Sequence, residues 1–241
     1  MGALILPGSG SDDFFVRSAF AGPLRAMGIR LQAPPPVPGA GVVRGYLDAL
    51  DDVLRRDTPV IVGGVSLGAL VAARWAARLP ALEKSPVVGL VLALPPWTGA
   101  PGDAPAAFAA RTSADALDQH GLTATLATVR RTSPPWLADE LTRAWSRYGT
   151  ALAPSLRVAA STEGPTEAQL ADLRVPTAVV GLADDPVHPL SVAEQWAALA
   201  PRAALATSTL SALGDDPAVL GRAAALAWSR LRQSDRGRPR R

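Results

Sequence analysis

A single serine, Ser66, stands between Gly64 and Gly68 in the stretch PVIVGGVSLGALVAARWAARLP, Pro59 to Pro80. Before it, Val60-Ile61-Val62 is an uninterrupted β-branched run that suits a short strand buried on both faces of a parallel sheet. From Leu67 onward the apolar residues recur with helical spacing. Ser66 therefore falls at a strand-to-helix corner, where glycines two before and two after it let neighbouring backbone approach without a Cβ clash. A G-x-S-x-G pattern in that context is a nucleophile elbow, and its hydroxyl attacks an acyl carbon once a base takes its proton. The competing reading is an ordinary tight turn with Ser66 as helix N-cap. A phosphate-binding loop is excluded, because no Gly-Lys-Ser/Thr follows and the chain's one lysine, Lys84, is distant.

Composition narrows the chemistry further. The chain has no cysteine and two histidines, which excludes a thiolate nucleophile and a disulfide framework and leaves little for a metal, so no metal and no cofactor are expected. Its 241 residues, 48% hydrophobic, suit one domain with a sizeable core. The start MGALILPG has neither a basic nor a long apolar segment of secretory type, and no apolar run approaches a membrane span; the expectation is a cytoplasmic protein acting on a small molecule. The overall charge of +3 misleads. Residues 230–241, RLRQSDRGRPRR, hold six Arg against one Asp and carry +5, so the body carries −2. Basic residues confined to a Gly/Pro-punctuated end point to a disordered tail rather than to a nucleic-acid-binding face. Oligomeric state is not legible.

The elements that must position these residues alternate along the chain. Strand patterns are read in ALILPG, IRLQAPPP, PVIVGGV, SPVVGLVLALPPW, VPTAVVGLADDP and RAALATSTL. Helical ones are read in SDDFFVRSAFAGPLRAMG, GVVRGYLDALDDVLRR, the stretch after Ser66, PLSVAEQWAALA and DDPAVLGRAAALAWSRL. Such alternation predicts an α/β fold: a doubly wound, mostly parallel sheet of about six strands with helices on both faces. The rhythm stops in residues 97–174, read as a helical cap inserted between core segments 1–96 and 175–229. Its Trp136 and Trp145, with Trp97 at its start, pack the insert onto the body or line an apolar substrate pocket.

Three stretches, GVSLG, LPGSGSDD and GLADDPVHP, resemble the α/β-hydrolase superfamily, and the resemblance covers nearly the whole chain. It implies an ester- or thioester-cleaving serine hydrolase with Ser66 as nucleophile. The oxyanion-hole donors would be the backbone amides of Leu67 and Ser9, with Gly10 as alternate donor and part of the substrate site. The acid would come from GLADDPVHP, where the spacing to the prolines selects Asp185 and counting from Gly181 selects Asp184. The family's usual histidine after the last strand is absent, because ATSTLSALGDDPAVLG holds none. The base is then His188, which keeps the family's chain order, or His120 in the insert, or neither. A chain with no base would be a non-hydrolytic protein on the same fold, either a biosynthetic enzyme or a ligand binder.

Overall fold

The computed structural model describes residues 1–79 and 85–236; Lys84 and the last five residues of the basic tail lie outside them. Among the described residues six strands form one parallel sheet: β1 (Gly2–Leu6), β2 (Arg30–Gln32), β3 (Val60–Val65), β4 (Val87–Ala93), β5 (Thr177–Leu182) and β6 (Ala203–Ser208). Their order is β2-β1-β3-β4-β5-β6. β3 and β5 are buried along their whole length, as aliphatic runs covered on both faces must be. Edge strand β2, Arg-Leu-Gln, is short and exposed at both ends.

The two-residue period of a strand sends neighbours to opposite faces. Leu4 and Val62 pack with Tyr46, Leu70 and Trp196, which belong to α2 (Val42–Asp51), α3 (Leu67–Ala76) and α8 (Leu190–Leu199). Ile5 and Ile61 pack on the other side with Phe20, Leu220 and Trp228, from α1 (Asp13–Ala26) and α10 (Ala218–Arg236). This is the expected doubly wound α/β architecture, with helices on both faces. The chain runs from β1 to β2 on one side and passes to β3 on the other, so the strand order reverses between β1 and β3. In open parallel sheets ligands gather in the crevice at the carboxyl ends of the strands flanking such a switch point. Here those ends carry the loop 7–11 and Ser66.

Between β4 and β5 the chain is helical: α4 (Pro105–Thr132), α5 (Pro135–Tyr148), α6 (Leu152–Ser161) and α7 (Glu167–Ala171). α4 breaks direction at Gly121, whose φ of 74° lies in the left-handed region. Residues of α4, α5 and α6, including Ala114, Leu126, Trp145, Tyr148, Leu152 and Leu156, make a separate small core. A short α9 (Leu210–Asp215) precedes α10. α10 continues to Arg236, so residues 230–236 are helical where the sequence suggests a disordered tail. Arg, Leu and Gln are good helix formers, and the breakers Gly237 and Pro239 come only after them.

Candidate active site

The corner at Ser66 is built by close backbone contacts that leave no room for side chains. A Cβ at Gly64 would lie 2.4 Å from the carbonyl carbon of Gly68, and one at Gly68 would lie 2.6 Å from the Leu6 oxygen and 2.7 Å from the Pro7 oxygen. The two glycines thus let β3, the start of α3 and the end of β1 touch. Ser66 itself takes φ 52° and ψ −115°, a conformation that costs a non-glycine residue roughly 1–3 kcal/mol. The fold holds it there through the Ser66 N–H, which donates to Ala93 O at 2.9 Å, and the Ser66 carbonyl, which accepts from Leu70 N at 3.0 Å. The only other non-glycine residue with positive φ among those described is Leu94, the next residue after that Ala93 acceptor.

The loop after β1 runs beside this corner. A Cβ on Gly8 would be 3.4 Å from the Ser66 Cβ and from the Val65 oxygen, so the loop passes beside Ser66 with little more than the space of a methyl group between them. Ser9 follows, half-buried, and Gly10 has φ +67°. Leu67 is the first residue of α3, and a first-turn N–H has no intrahelical acceptor and faces outward from the helix start.

On the other side of Ser66 lies the loop after β5. His188 Nε2 is 2.9 Å from Ser66 Oγ, and His188 Nδ1 is 2.9 Å from Asp185 Oδ2. With the neutral ring protonated at Nδ1, that nitrogen donates to Asp185 and Nε2 accepts from the serine hydroxyl. Asp185 also shapes the loop. Its Oδ1 accepts the Val187 and His188 amides at 2.8 and 3.1 Å, an Asx-type turn that folds His188 back over its own acid. Burial pushes the Asp185 carboxyl up, but the His188 ring and these amides outweigh it and hold the group below the usual carboxylate range. Asp184 points elsewhere, since its Oδ1 accepts from Leu210 N at 2.5 Å across the loop after β6. His120 is exposed on α4.

The tryptophans lie around the same edge. Trp145 is buried with its Nε1 against Gly10, 2.8 Å from where a Cβ there would stand, and this nitrogen has no hydrogen-bond partner among the described residues. Trp136 is half-buried against Gly214, in the segment where the family's histidine would be sought. Trp97, after β4, donates from Nε1 to the Thr162 carbonyl at 3.2 Å. Hollows lined by Arg56, Asp57 and Ser85, and by Asp172, Arg174 and Arg202, lie at the opposite, amino-terminal edge of the sheet. Among the described residues no group of three or more His, Asp or Glu is placed to hold a metal ion, and no helix is long and apolar enough to cross a membrane.

Sequence reasoning assigns no partner to Asp12, the residue that ends the loop after β1. It is buried, caps α1 by accepting the Phe14 and Phe15 amides, and takes Arg143 and Arg147 from α5. The available signal is the i,i+4 spacing of Arg143 and Arg147, which brings them to one side of a helix; their target, more than 130 residues away in sequence, is not legible from it.

Comparison with known proteins agrees with this architecture. No protein of curated function matches the chain in sequence. Among solved structures, a hydrolase from Oleispira antarctica superposes with a TM-score of 0.71 at 13% identity, covering 96% of this chain and 91% of its own. A hydrolase from Pseudomonas aeruginosa PA01 gives 0.60 at 23% identity, covering 98% and 90%. Esterase RhEst1 from Rhodococcus sp. ECU1013 gives 0.62 at 18% identity, also covering 98% and 90%. At these identities the likeness is one of fold. The sequence model of the alpha/beta hydrolase family matches residues 3–228, nearly the whole chain, and by that match the protein belongs to the alpha/beta hydrolase family.

Proposed function

We propose that this protein is a serine hydrolase that cleaves an ester or thioester of a small, largely apolar acyl compound, with Ser66 as nucleophile, His188 as base and Asp185 as the acid behind it. The observation that carries this reading is the hydrogen-bonded chain from Ser66 Oγ through both His188 ring nitrogens to Asp185 Oδ2, each link 2.9 Å. Nucleophile-to-base and base-to-acid contacts of about 2.6–3.2 Å are what acyl transfer requires.

In this reading Ser66 Oγ attacks the acyl carbon while its proton passes to His188 Nε2. The imidazolium so formed is stabilised by Asp185, already ionised at neutral pH. The negative charge on the former carbonyl oxygen accepts from the Leu67 and Ser9 amides. Collapse breaks the bond to the alcohol or thiol, which leaves with the proton from His188, and an acyl-serine remains. Water then attacks the acyl carbon, His188 takes its proton, and the second tetrahedral species releases the acid and returns the proton to Ser66. Trp145 against Gly10 and Trp136 against Gly214 supply apolar walls beside the two loops, with Trp97 at the base of the insert. The non-hydrolytic alternative draws its motive from the missing histidine after β6. A histidine contributed by the acid loop and in contact with Ser66 favours hydrolysis instead.

A fluorophosphonate probe tests the reading, since it labels only an activated serine. Labelling at Ser66 is expected, together with turnover of short p-nitrophenyl esters or acyl thioesters, and both are lost in Ser66→Ala. An intact, folded protein that is not labelled at Ser66 overturns it.

A further inference from the structure

Three consecutive residues of the loop after β1 are held by one helix of the insert. Gly10, at φ +67°, lies under the Trp145 indole. The Ser11 carbonyl accepts from the Tyr148 hydroxyl at 2.7 Å. Asp12 accepts from Arg143 through both carboxylate oxygens, Nη1 to Oδ2 at 2.7 Å and Nη2 to Oδ1 at 2.8 Å, and from Arg147 Nη1 at 2.8 Å. Paired N–H···O bonds of this kind fix orientation as well as distance. The Arg143 guanidinium is itself braced, paired with Glu140 and lying 4.4 Å above the Phe14 ring. Ser9 is therefore spanned on both sides: Gly8 passes close beside Ser66, Gly10 packs under Trp145, and Ser11 and Asp12 are hydrogen-bonded to α5. Within the loop one turn bond, the Ser11 N–H donating to Gly8 O at 3.2 Å, closes over Ser9 and Gly10; the tethers to α5 fix how that turn faces Ser66.

We infer that α5 is the strut that aims the Ser9 amide at the oxyanion, with Tyr148, Asp12 and Arg143 as positioning residues that touch no substrate. This rests on the serine-hydrolase reading. It gives the insert a catalytic task besides covering the site: an acyl oxyanion is stabilised only while the insert stays docked on the loop.

The test uses the full chain with Tyr148→Phe, which removes one hydroxyl, and Asp12→Asn, which keeps an oxygen to cap α1 but loses the charge that draws the arginines. Each is measured for kcat and KM on a p-nitrophenyl ester, for the rate of Ser66 phosphonylation and for Tm, beside Ser66→Ala. Removing an oxyanion donor outright costs about 10²–10³ in kcat; a misaimed donor is expected to lose part of that. In Tyr148→Phe, kcat and phosphonylation rate are each expected to fall about tenfold with KM within about twofold, the pattern of an interaction made in the transition state. Asp12→Asn is expected to show the same split. If both variants keep wild-type kcat and labelling rate below their Tm, the tethers are structural only and the strut is overturned while the hydrolase reading stands. If Tyr148→Phe alone folds, its kcat decides. If Ser66→Ala keeps wild-type turnover, or the wild-type chain neither turns over nor labels, the reading beneath the strut falls and the strut with it.

Discussion

In the proposed mechanism Asp185→Asn replaces one carboxylate oxygen by an NH2 group, changing almost nothing in shape but moving the His188 ring proton. The carboxylate divides its work, Oδ1 taking the Val187 and His188 amides and Oδ2 facing His188 Nδ1 at 2.9 Å. The asparagine oxygen continues to hold the turn, which leaves the NH2 group toward Nδ1. Facing a donor, Nδ1 must present its lone pair, so the ring proton moves to Nε2. Nε2 then donates to Ser66 Oγ across the same 2.9 Å instead of accepting from it, and no base remains. The His188 side chain is only 16% exposed, so bulk water is poorly placed to take over. An Asp-to-Asn exchange of this type lowers kcat by ~10⁴, which at ~1.36 kcal/mol per tenfold is about 5.4 kcal/mol of transition-state stabilisation. Stability is expected to change by only about 1 kcal/mol, since the turn survives and one charged hydrogen bond becomes neutral. The assay compares steady-state kcat on a p-nitrophenyl ester and the phosphonylation rate with Tm, and includes Asp184→Asn, whose carboxylate serves Leu210 instead. Retention of kcat within about threefold in a folded Asp185→Asn protein, or loss in Asp184→Asn instead, refutes the assignment of acid and tautomer.

Other outcomes follow from the same contacts. Asp12 is pushed up by burial but held below its ordinary value of 3.8 by the Arg143 hydrogen bond, the Phe15 amide and both arginine charges, and Asp185 is likewise lowered. A lowered folded-state pKa stabilises the protein above the unfolded value and is lost as pH falls through the folded one. Stability measured by denaturant titration is therefore expected to fall below about pH 3.8, and the fall is shallower in Asp12→Asn. Gly68→Ala puts a methyl 2.6–2.8 Å from Leu6 and Pro7 atoms and is expected to cost about 1–3 kcal/mol, several degrees of Tm. Ser66→Gly relieves a positive φ and is expected to raise Tm above that of both wild type and Ser66→Ala while abolishing phosphonylation; a Tm equal to that of Ser66→Ala shows that the corner is unstrained.

Much of this protein was legible because local chemistry decides it. Val60-Ile61-Val62 must be a covered strand, and GVSLG must turn sharply between strand and helix. The alternation of strands with helices then leaves a parallel sheet, which the structure shows with six strands in the expected segments. The helical end of the tail is not legible in the sequence, because clustered arginines and the later Gly and Pro outweigh the helix propensity of residues 230–236, which continue α10. The partner of Ser66 was open for a different reason. His120 and His188 are both single imidazoles in polar stretches, and nothing in either segment measures a distance to a serine 54 or 122 positions away. The tertiary structure decides it by bringing the ends of β3 and β5 to the same edge of the sheet, where the Asp185 turn folds His188 onto Ser66 and leaves Asp184 facing Leu210. The Asp12–Arg143 pair, 131 residues apart, depends on how the insert docks. Docking is a packing outcome of whole surfaces, so sequence periodicity reports which face of α5 is apolar and is silent on which loop it meets.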